Sequence, residues 1–209
     1  MIGQQSRARI GARREHLLMS EIDLEARPET IAERYHRLAD LFADTVADVD
    51  IHRWNDPSPC EDWSVLDVLR HVIETQSLVA GFMGRELGPG PSPGSDPVGA
   101  WLNVSDQIYA QLQDPALALE QFDGLAEPMP WEQVVDKLLS FDLVVHRWDI
   151  GHGVDLPVVI DADDVEWAMA AAQGMGEDLR SEGVCGPGLE PPADADAQTR
   201  LLAFLGRQA

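Results

Sequence analysis

The sequence has 209 residues, 44% hydrophobic and 25% charged, an ordinary make-up for a globular chain that can bury a core. Its net charge of −22, from 15 Lys and Arg against 37 Asp and Glu, repels phosphate backbones and argues against a nucleic-acid or anionic-membrane partner. No stretch approaches the roughly 18 unbroken apolar residues of a membrane span, and the basic N-terminus has no apolar segment of the kind a secretory leader needs.

Charge is unevenly spread. Residues 1–18 carry Arg7, Arg9, Arg13 and Arg14 against Glu15 alone, a local +3 that leaves −25 for the rest. Residues 1–20 are accordingly expected to be a disordered basic tail, with Met19 as an alternative start, ahead of a single helical domain over 21–209. Cys60 and Cys185 fit neither a C-x-x-C pair nor a disulfide framework. Each reads as a small buried hydrophobe, and a reducing cytoplasm is the simplest setting.

The first helix is expected over about 29–50, where Ile31, Tyr35, Leu38, Phe42, Val46 and Val49 recur at three- and four-residue steps. Pro57 and Pro59 forbid its continuation. The second starts at Ser64, with Asp67 completing a capping box, and runs to about Leu87. A Gly/Pro-rich loop follows, until Asp96-Pro97 caps a third helix carrying Trp101, Val104, Ile108 and Leu112. Pro115, Gly124, Pro128 and Pro130 break up residues 113–130. A fourth helix spans about 131–150, ending at Gly151-His152-Gly153, and a fifth about 162–180, with Val165, Met169, Ala172 and Met175. Residues 183–197 read as extended, before a short amphipathic tail around Leu201–Leu205. No period-two alternation occurs, so four long helices with short connections predict a four-helix bundle.

Polar groups fall on faces that should be apolar. In the fourth helix Trp131, Val135, Leu138, Leu139, Val145 and Ile150 define a buried face, with Gln133, Asp136, Lys137, Ser140 and Arg147 opposite. Asp142 and His146 lie within the apolar face, four residues apart and so stacked one above the other. A buried carboxylate costs several kcal/mol unless something compensates it. The second helix repeats the pattern: His71 projects within the stripe of Val65, Val68, Val72, Leu78, Val79 and Phe82, while Glu74 and Arg85 point away. Two imidazoles and one carboxylate are the donors of an open metal site, which leaves a position for water or substrate. A buried His–Asp structural pair is the alternative. Asp149, one turn beyond His146, serves either as a hydrogen-bond acceptor for a ligand histidine or as a simple cap. His16 lies in the tail, His36 reads as solvated, His52 sits in a loop, and His152 reads as a helix C-terminal residue. Trp63, Trp101, Trp131 and Trp148 read as core.

Pro59-Cys60-Glu61-Asp62-Trp63-Ser64-Val65 followed by Leu69-Arg70-His71 resembles the opening of the N-terminal domain of mycothiol-dependent maleylpyruvate isomerase. Asp142-Leu143-Val144-Val145-His146-Arg147-Trp148-Asp149 is similar to a second segment of that group. Gly186-Pro187 and the stretch Arg200–Arg207 resemble the closing signature of single-domain actinobacterial metal-binding proteins of the same DinB-like superfamily. The resemblance implies an all-α DinB-like four-helix bundle with an additional C-terminal short helix. It also implies a divalent metal, usually zinc, held by His71, Asp142 and His146, with nickel, iron or manganese as other occupants. Two departures stand out: the isomerase's second domain has no counterpart here, and Asp142 replaces a longer Glu. Isomerase activity itself does not follow.

The leading expectation is a thiol transferase or thiol-dependent isomerase in which a low-molecular-weight thiol such as mycothiol attacks a small electrophile. The rivals are a metal-dependent hydrolase, a minor iron-oxygenase reading, and a non-catalytic metal-stabilised binding module. Val144, read as an exposed apolar position, leaves room for a homodimer.

Overall fold

The computed structural model describes residues 27–124, 127–181 and 184–208; the basic tail expected over residues 1–20 lies outside them. The regular structure of the described residues is almost all helix. Helix α1 (Ile31–Asp48) opens on a capping box between Thr30 and Glu33. Helix α2 (Val65–Phe82) opens on the expected box, in which the Asp67 amide donates to Ser64 Oγ and the Ser64 amide donates to Asp67. Helix α3 (Pro97–Gln113) has Asp96 as N-cap and proline at its first position. After the short α4 (Pro115–Ala118), Gln121–Phe122 (β1) and Met129–Pro130 (β2) pair as a minimal antiparallel hairpin inside the segment the prolines break up.

The fourth long helix is composite. Residues Trp131–Val134 (α5) are α-helical, Val135–Ser140 form a wider π-helical turn, and Phe141–Gly153 (α6) resume the α-helix. The extra residue in a π turn offsets everything after it by one place. That offset buries Ser140, which uninterrupted α-helical spacing assigns to the polar face, and leaves its hydroxyl without a protein partner. Helix α7 (Ala162–Met175) ends in a 3₁₀ turn (Gly176–Arg180), and α8 (Ala197–Phe204) closes the chain.

Helices α1, α2, α3 and α5–α6 form the bundle, with α7 laid against α6 and α8 against α7. Helix α6 is thereby wrapped on nearly every side: Phe141, Leu143, Val144, Val145, Trp148 and Ile150 are all buried. Val144 is only 3% exposed, so this position offers no surface for a homodimer. Two further sequence expectations change. Helix α2 ends at Phe82 rather than Leu87, and its buried stripe runs through Val68, Leu69, Val72, Gln76 and Val79, leaving Leu78 and Phe82 exposed. His36 is not solvated; its ring stacks on Tyr109 at 4.1 Å between centroids.

The loop between α1 and α2 is itself ordered. Residues 54–64 fold back on themselves through Ser58–Trp63 backbone pairing, with Asp62 in the left-handed region at φ 64°. Gly153 lets this loop lie against the end of α6, since a Cβ there would meet Val65 at 2.7 Å and the Pro57 carbonyl at 3.0 Å. Ser64 ties the loop to α2. Replacing Ser64 with alanine is expected to cost about 1 kcal/mol, read as a Tm lower by roughly 2–4 °C in calorimetry.

Candidate metal centre

His71 on α2 faces α6, where Asp142 and His146 stand one turn apart. His146 Nε2 lies 3.2 Å from Asp142 Oδ1, and His71 Nε2 lies 3.7 Å from the same oxygen. The two imidazole rings meet edge-on, 5.0 Å apart with 76° between planes. The three ligand atoms lie within 4.8 Å of one another, close enough to hold one metal ion. The other carboxylate oxygen, Asp142 Oδ2, is buried with no hydrogen-bond partner. A native structure seldom leaves such an acceptor unpaired. Two imidazole nitrogens beside an unsatisfied carboxylate oxygen are a donor set suited to a divalent cation of the borderline-soft class.

The cluster grades from mouth to interior. Side-chain exposure falls from 33% at His71 to 18% at Asp142, 10% at His146 and none at Asp149. Trp63, from the folded-back loop, sets its ring 4.9 Å from that of His71 and so lines the open side. The sequence places this tryptophan in the core; the structure makes it half-buried rim.

Behind the cluster the packing is closed and charged. His146 Nδ1 donates to Asp149 Oδ2 at 2.8 Å. This bond assigns the tautomer and leaves Nε2 turned toward Asp142. Asp149 also accepts two bonds from Arg207, Nε to Oδ1 at 2.9 Å and Nη2 to Oδ2 at 2.8 Å. Cys60 Sγ lies 3.5 Å from Asp149 Oδ2, and Cys185 Sγ 3.8 Å from Arg207 Nη1. Both thiols are therefore half-buried neighbours of an ion pair rather than inert core residues. Cys60, His146 and Asp149 form a second group with metal-ligand spacing. The guanidinium already on both Asp149 oxygens opposes a second cation there, so this group is charge-matched without one.

These charges shape one another. Burial alone would raise the Asp142 pKa, but His146 and then His71 reverse the effect and hold it well below the usual carboxylate range. Burial likewise opposes charge on His146, yet Asp142 and Asp149 outweigh it and raise that imidazole well above its ordinary value. Asp149 is pushed up by burial and pulled down further by the bonds from His146 and Arg207, to about 2.

Sequence reasoning missed Arg207 and the placement of Cys60. A signal for the first existed. A second carboxylate, Asp149, on the buried face of α6 requires a compensating cation, and this acidic chain has few to supply it.

The sequence profile of the mycothiol maleylpyruvate isomerase N-terminal domain matches residues 35–151, more than half of the chain. The chain belongs to this family. Its all-α architecture is consistent with the DinB-like fold. His71, Asp142, His146 and Asp149 fall inside the matched span, whereas Cys185 and Arg207 fall beyond it. Two Mycobacterium tuberculosis proteins, uncharacterized protein MT0763 of strain CDC 1551 and uncharacterized protein Rv0738 of strain H37Rv, are each 27% identical to it over 185 residues. The match covers 83% of this chain and 95% of each relative. No solved structure gives a significant match.

Proposed function

We propose that this family member binds one divalent cation, zinc, through His71 Nε2, the Asp142 carboxylate and His146 Nε2. On this reading it is a thiol S-transferase or thiol-dependent isomerase acting on a small electrophile. The observation that carries the metal reading is the convergence of two imidazole nitrogens on a carboxylate whose second oxygen is buried and unpaired. The thiol reading draws its support from the family, whose name includes mycothiol. Mycothiol or another low-molecular-weight thiol is the proposed co-substrate.

A bound divalent cation supplies a lowered pKa to a coordinated thiol or water. The chain's own residues do the rest. His71 and Asp142 sit where a ligand enters, and the Trp63 ring offers an apolar face beside them. His146 is held from behind by Asp149, and among the described residues of the cluster His71 is the most exposed, which makes its side the one for ligand exchange. The charge of −22 suits a small-molecule partner rather than a nucleic acid. No helix among the described residues is long and apolar enough to cross a membrane, and we place the protein in the cytoplasm, where its free cysteines and a thiol co-substrate belong.

The test uses cobalt(II) in place of zinc and follows its visible spectrum while thiols are added. Mycothiol or a simple cysteine-derived thiol is expected to move the bands by displacing water. A spectrum unmoved by any thiol but moved by hydroxide would favour a hydrolase. One unmoved by either would mark a closed, metal-stabilised binding module.

A further inference from the structure

Arg207 reaches the centre from the far end of the chain by a defined route. Helix α8 ends in a paired turn in which the Gly206 amide donates to the Ala203 carbonyl and the Arg207 amide to the Leu202 carbonyl. This double closure needs a left-handed residue just past the helix. Gly206 supplies it at φ 81°, and a Cβ there would also meet the Pro187 carbonyl at 2.9 Å. The turn sends the Arg207 side chain back into the protein, where it is 9% exposed.

The guanidinium is used up on arrival. Nε and Nη2 form the fork on Asp149, while Nη1 donates to the Leu205 carbonyl at 3.0 Å and faces Cys185 Sγ. None of these contacts is on the open side, beside His71 and Trp63. What the fork does is fix the Asp149 carboxylate, and Asp149 Oδ2 in turn accepts from His146 Nδ1. A two-pronged bond restrains both position and rotation of a carboxylate, as a point charge does not.

We infer that Arg207 is a positioning residue of the centre: through Asp149 it holds the His146 ring with Nε2 aimed at Asp142 and His71. The inference rests on the proposed metal site. Its consequence is that docking of α8, which contributes no ligand, sets metal affinity. Partners of metal-ligating histidines are typically worth 10–100-fold in affinity.

The experiment measures zinc and cobalt affinity of the full-length protein by chelator competition. In parallel, the His146 ring is followed by ¹H–¹⁵N NMR in the metal-free state. In wild type the Nδ1 proton is expected to be slowly exchanging and downfield. Arg207→Lys keeps the charge and loses the fork. It is expected to weaken binding by roughly 10-fold or more, with unchanged circular dichroism, one site per chain and a faster-exchanging Nδ1 proton. Should that variant not fold, Asp149→Asn combined with Arg207→Gln leaves no buried charge unpaired and is expected to show the same loss. Folded variants binding within twofold of wild type overturn the inference, as does a wild-type ring lacking the Nδ1 proton. Wild-type protein that binds no metal overturns the metal reading instead, and is thereby distinguished.

Discussion

Replacing His146 with alanine is expected to lower divalent-metal affinity by more than about 100-fold, beyond the loss that removing a mere partner of a ligand brings. The substitution removes the nitrogen 3.2 Å from Asp142 Oδ1 and leaves only His71, at 3.7 Å, beside that oxygen. It should also destabilise the metal-free protein, because Asp142 is then mostly buried with little to compensate its charge. Stripping one partner from a buried pair costs about 3–5 kcal/mol, and the 18% exposure of Asp142 favours the lower end. Asp149 keeps its fork to Arg207, so the rear of the site should survive. His152→Ala is the control: that ring stacks on Trp148 at 4.5 Å and belongs to neither cluster. Elemental analysis of both variants after loading and dialysis decides the matter. Wild-type metal content in His146→Ala would remove that residue from the ligand set.

Acidity should act on the same centre with opposite signs in its two states. In the metal-free protein Asp142 and Asp149 favour the protonated form of His146, raising its pKa against the effect of burial. A raised pKa stabilises the fold fully below the unfolded value of about 6.5, and the contribution is lost as pH climbs through the folded value. The carboxylates run the other way. Asp142 and Asp149 are depressed, so what they contribute is present above about pH 3.9 and fades as pH falls through their folded values. The metal-free chain is therefore expected to be most stable on the acid side of neutrality. A metal ion must displace the His146 proton, so apparent affinity should climb about tenfold per pH unit while that proton remains bound. Urea denaturation across about pH 5–9, with and without zinc, tests both statements. Metal-free stability that rises from about pH 6 to 9, or an affinity that is flat over that range, contradicts them.

Local signals in the sequence are the legible ones. Ser64 with Asp67, and Asp96 before Pro97, mark helix starts because capping depends on residues three apart in the chain. Asp142 and His146 can be paired from spacing alone because four residues make one helical turn. Relations across the fold are not legible. Periodicity puts His71 inside a stripe that includes Leu78 and Phe82; the buried stripe is rotated from that bearing, and His71 stands at its edge, which makes it the mouth of the site. His36 gives no hint of Tyr109 on a neighbouring helix. Arg207 lies 58 positions from Asp149, and no periodicity links them.

The π turn gives the centre an unusual dependence on residue count. Between Trp131 and Asp142 the chain carries one residue more than an unbroken α-helix would need to present the same faces. A chain lacking Asp136 or Lys137 would have the residue count of an unbroken α-helix and would keep its apolar side chains. Asp142, His146 and Asp149 would then be turned by about 100° relative to α5, away from His71 and Arg207 together. Residue count in this one turn thus sets two contacts at once, that of Asp142 with His71 on α2 and that of Asp149 with Arg207 beyond α8.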